Sequence, residues 1–134
     1  MKKLFIALSA LILLATPSHA GLFGRTQPVY NVQDAYVITG SGETATLKQV
    51  QDAFVRAAQY KRWEVKVIEP GHVVATITVR RHFAQIDVKL TAEQYSITYN
   101  HSRELRYNGT EIHRNYNKWI KLLEQQFQKN TLEL

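Results

Sequence analysis

The chain has no cysteine in its 134 residues. Disulfides, thiolate metal sites, a cysteine nucleophile and a lipid-bearing cysteine at a processing site are all excluded. Proline is scarce at three and glycine at six, and no repeat or low-complexity tract is visible. His-Glu-x-x-His does not occur, and no glycine run leads into Gly-Lys-Ser/Thr, so neither a zinc-protease helix nor a phosphate loop is present. Gly40-Ser41-Gly42 is too short for a nucleophile elbow, which needs Gly-x-Ser-x-Gly between a strand and a helix, and it reads as a linker. Nothing in the motifs calls for a cofactor.

What is present begins with an address. Met1-Lys2-Lys3 precedes an apolar run from Leu4 to Ala15, and Ser18 and Ala20 stand at −3 and −1 of a cleavage point after Ala20. This is the pattern of a secretory signal over residues 1–20. The uncharged run falls short of the ~20 residues a bilayer span needs, and Pro17 and His19 interrupt its end. The two-lysine start suits a bacterial exporter, and the expected compartment is the periplasm. Of 17 basic residues, Lys2 and Lys3 leave with the signal while all 11 acidic residues stay, so the surplus falls from six to four. That mild surplus suits an anionic membrane or an envelope polyanion. Nucleic acid fits poorly, since the compartment is wrong and the basic residues are scattered.

Residues 21–28, with two glycines and a proline, read as a flexible arm, and 29–134 as one domain. Val29 to Ile38 holds a weakly alternating strand. Thr46, with Gln49 three residues on, signals a helix start, and Leu47, Val50, Ala53, Phe54, Ala57 and Ala58 form one apolar stripe to about Tyr60. Trp63, Val65 and Val67 alternate with charged residues. Three further alternating runs follow: Val73 to Val79, Ala84 to Leu90, and Tyr95 to Tyr99. After Asn108-Gly109 a second helix is expected from Glu111, with Ile112, Tyr116, Trp119, Ile120, Leu123 and Phe127 on its buried face. The fold class is α+β: a two-layer sandwich, an antiparallel meander of three to four strands with two helices on one face.

Two groups of residues could carry function. Arg80, Arg81, Arg103, Arg106, Arg114 and Lys118 are a basic reserve at strand ends and around the second helix start. They would bind an anion or a lipid headgroup if they converge, or simply keep sheet edges soluble if they do not. His101, His113 and Tyr116 lie in the richest polar-aromatic stretch and could line a small cleft, with Glu104 or Glu111 beside the histidines. The spacing of the histidines implies no metal ligand set. The same stretch reads equally as a packed structural corner.

The first-helix run Val50 to Trp63, the strand Tyr95 to Tyr99 with Ser102 and Leu105, and Ile112-His113 followed by Tyr116-Asn117-Lys118-Trp119-Ile120 resemble a family of small uncharacterised periplasmic proteins and lipoproteins of Gram-negative bacteria, chiefly through the Tyr-Asn-x-Trp helix. The resemblance covers most of residues 29–123. It implies export and brings no assigned activity. The missing cysteine departs from the lipoprotein members and puts membrane tethering in doubt. A weaker analogy, at the level of fold, is to BON-type envelope domains. The expectation is an exported non-enzymatic module that binds an envelope component, an anionic membrane surface or a partner protein. Its alternatives are an assembly protein pairing through an open sheet face, and a small hydrolase or metal-dependent enzyme using the His101–His113 region.

Overall fold

The computed structural model describes residues 24–134; the expected signal segment and residues 21–23 of the arm lie outside the described residues. The chain is α+β. In order it forms β1 (Thr26–Pro28), β2 (Val32–Tyr36), α1 (Leu47–Tyr60), β3 (Glu64–Glu69), β4 (His72–Val79), β5 (His82–Leu90), β6 (Gln94–Arg103), β7 (Glu111–His113) and α2 (Arg114–Thr131). Strands β3 to β6 are the expected meander. The sheet has five strands rather than three or four, in the order β2-β6-β5-β4-β3, all antiparallel, and β1 pairs with β7 in a separate two-stranded ribbon.

Each difference from the sequence pattern has a local cause. The register between β2 and β6 shifts between Val32 and Ala35, and Asp34 there takes φ 49°, so the alternation of β2 is broken by an irregularity. The strands β1 and β7 are three residues each, too short to show a period. Residues 26–28, placed in the arm by their composition, thus pair with 111–113. Because Glu111–His113 is engaged in that ribbon, α2 starts at Arg114 rather than Glu111.

The first helix forms as its sequence dictates. Thr46 Oγ1 accepts from the Gln49 N–H at 3.1 Å, and Gln49 Oε1 accepts from the Thr46 N–H at 2.9 Å, a complete capping box. Its stripe of Val50, Ala53, Phe54, Ala57 and Ala58 is buried in one core with Val73, Ala75 and Ile77 of β4, Ala84, Ile86, Val88 and Leu90 of β5, and Tyr116, Ile120, Leu123 and Phe127 of α2. Phe127 meets Phe54 and Tyr95 edge-on, with centroids 5.4 and 4.9 Å apart. Trp119 sits on the flank of that stripe and is only partly buried, contrary to its expected place; one position off the 116–120–123–127 line rotates it about 100° from Ile120. Strand β3 is the sheet's outer edge, and Val67 is 47% exposed there. Among the described residues no helix is long and apolar enough to cross a membrane.

The Tyr-Asn-x-Trp segment has a structural task. The buried Asn117 side chain accepts from the Tyr30 N–H at 2.9 Å and donates to the Pro28 carbonyl at 2.9 Å and to Gln27 Oε1 at 3.3 Å. It thereby fastens segment 27–30 along α2. Two turns further, Glu124 accepts from the hydroxyls of Tyr30 at 2.8 Å and Tyr95 at 3.0 Å.

Candidate functional site

Basic residues gather at the end of the fold formed by the β4–β5 turn, the end of β6 and the start of α2. The turn is tight: Val79 pairs with His82, leaving Arg80 and Arg81 at its tip. Arg80 has φ 57°, a left-handed conformation that costs a side-chain-bearing residue ~1–2 kcal/mol. Glycine or asparagine would relieve that strain, so an arginine here holds a charge at a conformational cost. In register with Phe83, at the end of β6, stands Arg103, whose guanidinium lies 4.1 Å from the Phe83 ring centre.

Beyond Arg103 the chain turns through Glu104 (φ 59°) and Arg106 (φ 55°). Three contacts fix this turn. Leu105 is buried, its carbonyl accepts from the His113 N–H at 2.7 Å, and the Glu104 carbonyl accepts from His82 Nδ1 at 2.7 Å. Asn108 closes the loop, its Oδ1 accepting from the N–H groups of Thr110 and Glu111. His113 then caps α2, Nδ1 accepting from the Asn115 N–H at 3.2 Å. The rings of His82 and His113 lie parallel within 19°, centroids 6.0 Å apart. The ribbon sets Thr26 opposite His113, and the Arg25 carbonyl accepts from the Arg114 N–H at 2.9 Å, which brings Arg25 to the same place.

The electrostatics are one-sided. Burial, together with the charges of His82, Arg106, Arg114 and Arg25, holds the His113 imidazole below its ordinary pKa. Among the described residues the ion pairs are Lys48–Asp52 at 2.7 Å and His72–Asp87 at 2.9 Å, and no arginine takes part in one. Arg25, Arg80, Arg81, Arg103, Arg106 and Arg114 are all exposed.

The expected basic residues therefore divide. Arg106 and Arg114 stand near enough to His113 to act on its charge, and Arg80 and Arg81 form the tip of the turn that leads into His82. Arg103 and Phe83 occupy the sheet side that alternates away from the core, so Arg103 extends the positive charge around the rim. Lys118 lies about one turn along α2, in a shallow depression of ≈ 520 Å³ shared with Gln27, Arg114 and Lys121. Arg25 and His82 belong to the cluster as well. His82 follows the Arg80-Arg81 pair directly in sequence, a readable signal; for Arg25 only the three-residue ribbon reveals it.

His101, His113 and Tyr116 occupy three different surroundings. His101 is exposed on the polar side of the sheet, opposite Gln85 and 6.1 Å from Phe83. His113 is the helix cap. Tyr116 is buried in the core, edge-on to Tyr99 at 5.7 Å, with its hydroxyl unpartnered among the described residues and its pKa pushed up by burial and by Tyr99 and Tyr107. Among the described residues no group of three or more His, Asp or Glu side chains is placed to hold a metal ion. Elsewhere on the polar sheet side, Asp87 accepts from Asn100 and contacts His72, which hold its carboxyl below the usual range, the His72 contact most strongly.

No protein-family model matches this chain, and no curated protein matches it.

Proposed function

We propose that the chain is an exported, non-enzymatic binding module that docks through its basic end onto an anionic surface of the bacterial envelope. The single observation that carries this is the gathering, from four separate segments, of Arg25, Arg106 and Arg114 about His113 and of the Arg80-Arg81 turn beside His82, with no carboxylate ion-paired to these arginines among the described residues. Unpaired arginines held near one another repel; they are favourable when an anion from outside sits among them. The signal pattern and the resemblance to small envelope proteins supply the compartment. Two helices on one face in a two-layer sandwich would leave the polar sheet side, with Thr76, Thr78, Ser96 and Thr98, free for a protein partner.

The test is co-sedimentation of the processed protein, with an intact mass beginning at Gly21, with anionic and neutral lipid vesicles across a salt series. Binding should require anionic lipid and weaken as salt rises, because exposed charges are screened over ~8–10 Å near physiological ionic strength. Reversal of Arg106 and Arg114 to Glu should weaken binding more than reversal of Lys48 and Lys61 on α1. Binding that ignores lipid charge and salt, or none at low salt, removes the reading and favours a protein partner on the polar sheet side. A second reading, pairing of copies through the sheet, draws on the exposed edge β3 and the ≈ 470 Å³ depression beside it, lined by Glu64, Lys66, Val74 and Thr76.

A further inference from the structure

The two histidines at the basic end use Nδ1 in opposite senses, and this bears on what anion the end takes. A carbonyl oxygen only accepts, so His82 Nδ1 carries a hydrogen toward Glu104, and the Nε2 of its neutral ring is a free lone pair. A backbone N–H only donates, so His113 Nδ1 is unprotonated toward Asn115, and its Nε2 carries the hydrogen. Protonating His113 would break the α2 cap. Protonating His82 breaks nothing, and it adds a second donor beside the arginines.

We infer that His82 and His113, with Arg25, Arg106 and Arg114, form a binding site for a tetrahedral oxyanion of the phosphate class, and that the anion binds together with one proton taken up at His82 Nε2. This deepens the docking reading above and rests on it only in using the same end of the fold. In the free protein the guanidinium groups of Arg106, Arg114 and Arg25 oppose a positive charge on the His113 ring. A dianion reverses that field, and an opposite charge within ~4–6 Å raises a histidine pKa by one unit or more. Meanwhile the His113 Nε2–H remains available as a neutral donor.

Every element packed around the pair contributes to this balance. Arg25 precedes β1, Arg80 and Arg81 form the β4–β5 turn, Arg106 and Glu104 lie in the loop, and Arg114 opens α2. Glu111 of β7 is engaged by the Thr26 hydroxyl at 3.2 Å. Neither Glu104 nor Glu111 lies within ion-pair distance of a histidine. The local balance is therefore positive, and an anion seated among these groups favours a proton at His82 Nε2.

Calorimetric titration of the processed protein with inorganic phosphate and with sulfate tests this, in buffers of differing ionisation heat between pH 5.5 and 7.5. Sulfate does not titrate in this range, so any proton taken up with it belongs to the protein. The expected result is saturable binding that strengthens roughly tenfold toward the acid end, with proton uptake accompanying it. His82→Gln, whose amide can still donate to the Glu104 carbonyl, should lose the proton uptake and the pH dependence, its binding at pH 5.5 falling to the level seen at pH 7.5. His113→Asn, which preserves a capping acceptor but removes the ring N–H donor, should weaken anion binding severalfold and leave its pH dependence in place. NMR titration of the histidine ring signals reports the His82 shift directly and shows that each variant is folded. Pelleting with vesicles carrying a phosphomonoester headgroup, with and without competing sulfate, separates a lipid source from a free ion. Sulfate binding without proton uptake, or pH dependence that survives His82→Gln, overturns the inference while leaving vesicle docking standing. Failure to bind sulfate, phosphate or anionic vesicles overturns both.

Discussion

Asn117→Ala is a sharp perturbation because one side chain serves two backbone groups and a glutamine at once. Asn117 is 5% exposed, and its amide satisfies the Tyr30 N–H and the Pro28 carbonyl, the groups that lay the first residues of the domain along α2. Removing it leaves the Tyr30 N–H without an acceptor in a half-buried position, which costs ~1–3 kcal/mol. Loss of the bonds to Pro28 and Gln27 adds ~1 kcal/mol, since water reaches the exposed Pro28 and replaces part of that bond. Alanine returns ~0.5 kcal/mol through its better helix propensity. The balance is a loss of about 1.5–3.5 kcal/mol, which at ~2 kcal/mol per molar urea moves the unfolding midpoint down by ~1–2 M.

Asn117→Asp separates the two halves of the interaction. The carboxylate still accepts from Tyr30 but meets the Pro28 carbonyl with charge instead of a donor. Its folded pKa should therefore lie above the unfolded value of ~3.9. A raised pKa means stability that is present at low pH and is lost as pH rises through the folded value, so this variant should be closer to wild type at pH 4 than at pH 7. Urea melts of both variants at the two pH values, with amide exchange at Tyr30, provide the measurement. A midpoint change below about 0.3 M for the alanine variant, or an aspartate variant indifferent to pH, would refute the clamp.

Two further outcomes follow from packing and from ionisation. At Gly40 an added Cβ would stand 2.1 Å from the Leu132 carbonyl oxygen, whereas at Gly42 (φ 75°) it meets nothing; Gly40→Ala should lower the thermal midpoint well beyond Gly42→Asn, at a cost of ~1–3 kcal/mol or more, and equal midpoints would mean the C-terminus does not rest on that loop. The phenols of Tyr30 and Tyr95 are pushed up to about 12, first by burial, with the Glu124 carboxylate contributing. Their folded pKa exceeds the unfolded ~10, so the stability they contribute is full below pH 10 and is lost as pH rises from 10 to 12. Absorbance at the phenolate band should place their ionisation with alkaline unfolding, and Glu124→Gln should move it to lower pH; ionisation near pH 10 without unfolding would refute the Tyr30–Glu124–Tyr95 contact.

The sequence by itself determined the α+β class, the capping box of α1, its buried stripe and an antiparallel meander, expected with three to four strands and found within a sheet of five. Each of these is a local pattern: a cap three residues from its partner, apolar residues at helical spacing, or strict alternation between nearby turns. Periodicity reports only which face of an element is apolar. It could not show that Asp34 breaks the alternation of β2, that Trp119 falls on the flank of α2, or that Val67 lies at an edge that α1 leaves uncovered. The basic residues were legible as residues, and His82 was legible beside Arg80 and Arg81. Their meeting was not, because Arg25 reaches His113 through a ribbon that joins positions 26 and 113, and nothing in three residues of strand announces a partner so distant in the chain. The tertiary structure alone decided that Asn117 is a clamp, that His101 and His113 face different surroundings, and that His82 donates through Nδ1 where His113 accepts. Hydrogen-bond partners are fixed by which segments pack together, and that choice is made by burial of the whole core rather than by any local stretch of sequence.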